Sequence, residues 1–121
     1  MTRREHDWVL TFEDHSTVQI ECLWRLLRNG RIVLTGEDHG LQFGMAAPID
    51  AANSCNIQLA GRAISSIELT QGTLDLTFTL EGSLVLQIIP DSSGYEAWNA
   101  NTPNGFIVAV GGGELTVFKT E

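Results

Sequence analysis

The 121-residue sequence is poor in basic residues and contains no long apolar run. Seven Lys and Arg residues stand against fifteen Asp and Glu residues, so the net charge at pH 7 is −8. A protein that binds phosphate backbones needs a basic surface, so this balance argues against nucleic acid and anionic membranes as partners. No apolar stretch reaches the length of a signal-peptide core or a membrane span, which predicts a cytoplasmic protein.

Cysteine and recognisable catalytic motifs are also scarce. The two cysteines, Cys22 and Cys55, form no C-x-x-C pair, whereas small secreted scaffolds usually carry four or more. We therefore predict that both thiols are reduced and that Cys22, which lies in an apolar run, is a small buried hydrophobe. There is no Gly-x-Ser-x-Gly segment, and Gly111–Gly113 precedes a predicted strand rather than a helix. The sequence accordingly predicts no catalytic residue, no cofactor and a hairpin turn at the three glycines.

What is present is a pattern of alternating apolar and polar residues over most of the chain. With 43% hydrophobic residues and a mean hydropathy of +0.03, residues 1–121 are expected to fold as a single domain. Alternation predicts up to nine strands. They are a first strand at Trp8–Phe12, a long second strand from Val18 to Leu26, and further strands at Arg31–Thr35, Ala63–Leu69, Thr73–Leu80, Ser83–Ile89, Tyr95–Asn99, Phe106–Val110 and Leu115–Phe118.

Local signals mark the ends of several elements. Asn29–Gly30 predicts a two-residue hairpin turn, because both residues tolerate positive φ. The segment Ser83–Ile89 is apolar on both faces, which is typical of a central strand. An Ala-rich stretch after Pro48 predicts one helix at about residues 48–60, with Asp50 as its N-cap. The expected fold class is α+β, mainly antiparallel β-sheet arranged as a meander, a sandwich or a half-barrel, with that one helix.

A repeated Glu-Asp-His triplet suggests one chemical site. It occurs at residues 13–15 and again at residues 37–39. If the second and third strands form a simple meander, the two triplets lie at the same end of the sheet. Imidazole and carboxylate groups suit zinc or non-haem iron, so His15, Asp38 and His39 are metal-ligand candidates. The competing interpretation is that polar residues occupy turns because turns are solvated, and no H-x-H or H-E-x-x-H spacing favours the metal.

Two segments place aromatic side chains beside polar residues and glycine, which is typical of binding surfaces. The predicted surface consists of Glu37, Asp38, His39, Phe43, Tyr95, Glu96 and Trp98. Alternation places Tyr95 and Trp98 on opposite faces of one strand, so at least one of these aromatic residues is expected to pack in the core.

Five segments together resemble a family of small bacterial domains of unknown function. They are the D-H-G-x-x-F-G stretch at residues 38–44, the P-I-D-A-A segment at 48–52, the strand at 72–78, the Y-E-x-W segment at 95–98 and the G-G-G-x-L turn at 111–115. The order Gly72–Thr73 and the residue Phe118 depart from the usual pattern. The resemblance implies no activity, cofactor or catalytic residue.

The sequence therefore leads to two functional hypotheses. The first is a non-enzymatic bacterial binding protein, such as an immunity or accessory protein, whose acidic surface contacts a protein partner. A homodimer is also expected, either through edge strands or through an apolar face that includes Leu23 and Leu27. The alternative is a metal-dependent enzyme or metal-binding protein that uses the two Glu-Asp-His turns.

Overall fold

The alternating pattern corresponds to two antiparallel sheets in the computed structural model, which describes residues 1–119. In chain order, the strands are β1 (Thr2–Arg3), β2 (Trp8–Thr11), β3 (Thr17–Ile20), β4 (Leu23–Arg28), β5 (Arg31–Thr35), β6 (Ile64–Leu69), β7 (Leu76–Leu80), β8 (Leu84–Ile89), β9 (Trp98–Thr102), β10 (Gly105–Val110) and β11 (Glu114–Lys119). Helix α1 spans Ala51–Leu59, and one turn of 3-10 helix follows β5 at Gly36–Asp38. The prediction of an α+β fold made mainly of antiparallel sheet is confirmed.

Both sheets contribute their inner faces to one apolar core. The first sheet has the order β1-β2-β3-β9-β10-β11, and the second has the order β5-β4-β8-β7-β6. The largest fully buried side chains come from both sheets and from α1: Trp24, Ile20, Leu26, Leu84, Leu86, Ile88 and Cys55. Burial of these apolar groups is the main stabilising term.

The prediction of one long second strand is wrong. The chain pairs in the first sheet as β3, passes through Glu21 and Cys22, and then pairs in the second sheet as β4. Val18 and Ile20 point to the shared core from one side, and Trp24 and Leu26 point to it from the other. Because both strands bury every second residue in the same core, the alternation continues through the crossing and cannot reveal it.

Several local predictions are confirmed. Asn29 and Gly30 both have positive φ, 51° and 77°, and they connect β4 to β5. Strand β8 lies at the centre of the second sheet, as its two apolar faces indicated. The three glycines at 111–113 form the turn between β10 and β11.

Two predicted strands begin later than expected because turns occupy their first residues. Strand β7 starts at Leu76, since Leu74 has φ 63° and its N–H donates to the Thr70 carbonyl. Strand β9 starts at Trp98, because the Tyr95 N–H donates to Ser92 Oγ in the preceding turn.

The predicted helix is present and begins after its predicted cap. Asp50 accepts a hydrogen bond from the Asn53 N–H at 3.1 Å, which satisfies one of the free donors at the N-terminus of α1. Ala51 and Cys55 face the core and are fully buried. The Arg28 side chain of β4 donates to Gln58, which fastens the helix to the second sheet.

Candidate functional site

An open cleft lies where the chain crosses from β3 to β4. Its volume is about 380 Å³, at the lower end of the range for small-molecule sites. We name it the crossing cleft, and its lining residues are Arg3, His6, Trp8, Ile20, Glu21, Cys22, Leu23, Trp24, Gly36, Glu37, His39 and Asp91. Buried apolar side chains form its interior, and charged residues are exposed at its rim.

Three rings pack edge to face along the cleft. The Trp8 ring lies 5.1 Å from the Trp24 ring at 81°, and 5.5 Å from the His39 ring at 88°. Such perpendicular contacts place the positive ring edge against the negative ring face. Trp8 and Trp24 are buried, whereas His39 is exposed. The aromatic wall is therefore rigid at depth and open to solvent at His39.

A polar network holds the N-terminal side of the cleft in place. The Arg4 guanidinium donates two hydrogen bonds to the buried Asp7 carboxylate, at 2.6 and 2.5 Å, and Gln19 adds a third at 2.6 Å. The Arg4 hydrogen bonds hold the pKa of Asp7 below its usual value. Arg3 donates to the Asp7 carbonyl and lies 4.7 Å above the Trp8 ring, a cation–π contact.

The Trp24 indole N–H is buried without an acceptor among the described residues. Its neighbour is Gly36, where a Cβ would lie 2.7 Å from Trp24 Nε1, so only glycine fits against the indole. The contrast is Trp98, whose indole donates to the Leu74 carbonyl at 2.9 Å. A buried donor with no acceptor costs about 1–3 kcal/mol. The Trp24 ring therefore lines the crossing cleft, while its unsatisfied indole N–H is buried beside Gly36.

His39 and Asp38 each have a local structural partner. His39 Nδ1 accepts the Ala51 N–H at 3.1 Å, so the proton of the neutral ring is on Nε2. Asp38 Oδ2 accepts the Thr35 N–H at 3.0 Å and closes the turn after β5. His39 thus joins α1 to the cleft, and Asp38 shapes the loop that carries it.

The rim of the crossing cleft is acidic. Glu21, Glu37 and Asp91 supply three carboxylates against one guanidinium, that of Arg3. Loss of hydration, together with the hydrogen bond and repulsion from nearby Glu96, raises the pKa of Glu21 above its usual value. This charge balance favours a cationic group at the rim.

The expectation that the two Glu-Asp-His turns meet is wrong. His39 packs on Trp8 at the start of β2, whereas His15 lies in the turn after β2, where its N–H donates to Phe12. About 13 Å of strand separates Trp8 from Phe12. The meander argument failed because the chain changes sheet at Glu21 and Cys22. Within residues 1–119, no group of three His, Cys, Asp or Glu side chains is placed to hold a metal ion.

The predicted binding surface is only partly brought together. Glu37 and His39 line the crossing cleft, and Glu96 lies beside its rim residue Glu21. Phe43 and Tyr95 are 67% and 82% exposed but lie outside the cleft lining. The assignment of Trp98 to the binding surface is wrong. Its side chain is only 2% exposed, because it points into the core and its indole N–H donates to the Leu74 carbonyl.

Sequence reasoning missed most of the cleft. The alternation places Trp24 and Cys22 inside one continuous strand, and no sequence pattern marks Arg3, Gly36 or Asp91. These residues come together only because β3 and β4 belong to different sheets. The one local signal is Trp24 itself, because a tryptophan in an apolar run has an indole donor that usually finds an acceptor when it is buried.

The cysteines yield a prediction for native labelling. Both are free, and Cys55 is buried, whereas Cys22 is half-buried in the cleft lining and so is less enclosed than predicted. Loss of hydration raises the pKa of Cys22 to about 12 and of Cys55 to about 11. The thiolate is the reactive form, and at pH 9 about half of each thiol is ionised in the unfolded chain but only about 1% of Cys55 in the native protein. We therefore expect the native thiols to react with iodoacetamide at least about fiftyfold more slowly than the unfolded ones. Mass spectrometry of the reaction in buffer and in urea would measure this. Equal rates in the two solvents would contradict the burial of the thiols.

Comparison with known proteins adds one assignment. No curated protein and no solved structure matches the chain. Within the described part of the chain, no helix has both the length and the apolar character needed to span a membrane. The model of a family of unknown function, DUF6188, matches residues 1–119. Because the match covers nearly the whole sequence, the chain belongs to this family of unknown function.

Proposed function

We propose that this chain is a non-enzymatic binding protein of the bacterial cytoplasm, and that the crossing cleft receives a basic segment of a partner protein. The observation that carries the proposal is Trp24, which lines the cleft and whose buried indole N–H has no acceptor in the part of the chain that the structure describes. Binding would move the turn at Gly36 away from the indole, and a carbonyl oxygen of the bound segment would then pair with the donor and remove its cost. An immunity or accessory protein that neutralises a basic partner is the biological role that fits this chemistry.

The charges of the cleft specify the partner more closely. Lysine and arginine side chains only donate hydrogen bonds, so on a basic segment we assign the acceptor for Trp24 to a peptide carbonyl. A cationic side chain on the same segment would meet the carboxylates of Glu21, Glu37 and Asp91. The net charge of −8 would also accelerate the encounter with a basic partner.

The test uses the three indole N–H signals in the NMR spectrum of the protein, one for each tryptophan. We expect the Trp24 signal to move during titration with acetyl-Gly-Arg-Gly-amide, because its donor gains an acceptor. The Trp98 signal should stay fixed, since that indole already donates to the Leu74 carbonyl. Tryptophan-to-phenylalanine variants would assign the three signals.

The matched control is acetyl-Gly-Glu-Gly-amide, which has the same carbonyl groups and the opposite charge. We expect it to bind at least tenfold more weakly, and we expect Glu37→Gln to weaken the arginine peptide. Glu37 is the suitable rim variant, because Asp38 closes a turn through the Thr35 N–H. An unmoved Trp24 signal, or equal responses to the two peptides, would reject the proposal.

A further inference from the structure

The two sheets have four edge strands, and three of them are protected. Unpaired N–H and C=O groups on an edge can recruit another strand, so proteins shorten or distort their edges. Strand β1 has two residues, and the edge pairs of the second sheet, β4–β5 and β6–β7, both contain register shifts. Strand β11 differs, because it pairs with β10 at six consecutive positions without a shift. Among residues 1–119, β11 is thus the regular, unprotected edge.

The side chains of β11 present apolar groups at this edge, and all six residues are exposed. Leu115 pairs with fully buried Ala109, and Val117 pairs with Ile107, so both belong to the core-facing side of the first sheet. They nevertheless remain 39% and 51% exposed. The inner face of the first sheet therefore continues beyond the shared core.

Charge is almost absent from this part of an otherwise acidic chain. Strands β9, β10 and β11 together contain one acidic residue, Glu114, and one basic residue, Lys119, so these three strands carry no net charge. Interface centres are depleted in charged residues, and a neutral edge avoids the repulsion that a net charge of −8 would otherwise cause between two copies. A second copy of the chain therefore fits this edge.

We propose that β11 pairs antiparallel with β11 of a second copy, around a two-fold axis at Thr116. A two-fold axis perpendicular to the sheet leaves the core-facing sides of both copies on the same side of the joined sheet. Odd-numbered residues of one β11 therefore lie opposite odd-numbered residues of the other, and even-numbered residues lie opposite even-numbered ones. An axis at Thr116 places Thr116 opposite its own equivalent and Leu115 opposite Val117 of the second copy. Threonine pairs and aliphatic pairs are favourable across strands, whereas an axis at Val117 would place Leu115 opposite Lys119. The pairing joins the two six-stranded sheets into one.

The first experiment measures mass by light scattering over a range of protein concentrations. We expect a species of twice the 13.2 kDa chain mass, and we expect Val117→Lys to raise the dimer dissociation constant at least tenfold. Ile67→Lys is the matched control, since Ile67 is similarly exposed on the protected edge β6 and should leave the dimer unchanged. A wild-type protein that remains monomeric at every concentration measured would overturn the proposal, as would a dimer unaffected by Val117→Lys.

The second experiment tests the register without relying on a loss of binding. Directly opposite residues have Cα atoms about 4.5–5.5 Å apart, within the range of a disulfide. We expect Thr116→Cys to form a disulfide-linked dimer on mild oxidation. Glu114→Cys should not, because the two copies of residue 114 would be separated by about 13 Å along the strand. Equal cross-linking of the two variants, or none in either, would overturn the proposed register. The wild-type chain, oxidised in the same way, measures any cross-linking by buried Cys55 and half-buried Cys22.

Discussion

Replacement of Trp98 by alanine is expected to lower the free energy of unfolding by about 3–5 kcal/mol. The side chain is 2% exposed and lies between Ile20 and Ala109 of the neighbouring strands. The variant would leave a cavity in the shared core and would also remove the donor to the Leu74 carbonyl. Leu74 has a left-handed backbone conformation, so the indole also supports the turn before β7. Urea denaturation followed by fluorescence or circular dichroism would measure the loss.

The control for Trp98 is Tyr95, the other aromatic residue of the Y-E-x-W segment. Tyr95 is 82% exposed, so Tyr95→Ala should change the free energy of unfolding by no more than about 0.5 kcal/mol. Trp98→Phe would separate the hydrogen bond from the burial of the ring. Equal losses for Tyr95→Ala and Trp98→Ala would contradict the assignment of Trp98 to the core.

Gly113→Ala is expected to cost about 2–5 kcal/mol, because it combines two unfavourable effects. Gly113 has φ 84°, a conformation that strains residues with a Cβ. A Cβ there would also lie 2.2 Å from the Gly72 carbonyl oxygen, which belongs to the turn between β6 and β7. The contact joins a turn of the first sheet to a turn of the second, so relief would require the two turns to separate. Thermal and urea denaturation would measure the cost.

Gly112 provides the matched control in the same turn. Its φ is 83°, but a Cβ there would be 3.2 Å from the nearest atom, the Ser93 carbonyl oxygen. Gly112→Ala should therefore cost about 1–2 kcal/mol, mainly for the backbone conformation. If both alanine variants lose the same stability, the close approach of the two turns has no energetic importance.

The elements that were predicted well depend on neighbours in sequence. Asn29 and Gly30 adopt positive φ because of their own chemistry, and Asp50 reaches the Asn53 N–H three residues away. Strand β8 shows its central position through its own two apolar faces. Such turn and cap signals depend only on residues a few positions apart, so they can be read from the sequence without knowing the tertiary packing.

The candidate site depends on contacts between residues far apart in sequence, so sequence patterns predict few of its residues. Trp8, Trp24 and His39 meet in the crossing cleft although they come from β2, β4 and the loop after β5. The repeated triplet predicts His39 as a metal ligand, yet its Nδ1 accepts the Ala51 N–H at the N-terminus of α1. Turn residues with polar side chains have several possible partners, and their spacing alone does not select one.

The sequence by itself determined the class of the fold, the type of most elements and the residues that turn inward. These features follow from the period of the alternation and from local turn and cap chemistry. Only the tertiary structure decided which sheet each strand joins, because β3 and β4 show the same inward period whether they form one strand or two. It also decided that the Trp98 indole has an acceptor and the Trp24 indole has none among the described residues, since hydrogen bonding of a buried donor depends on residues distant in the chain.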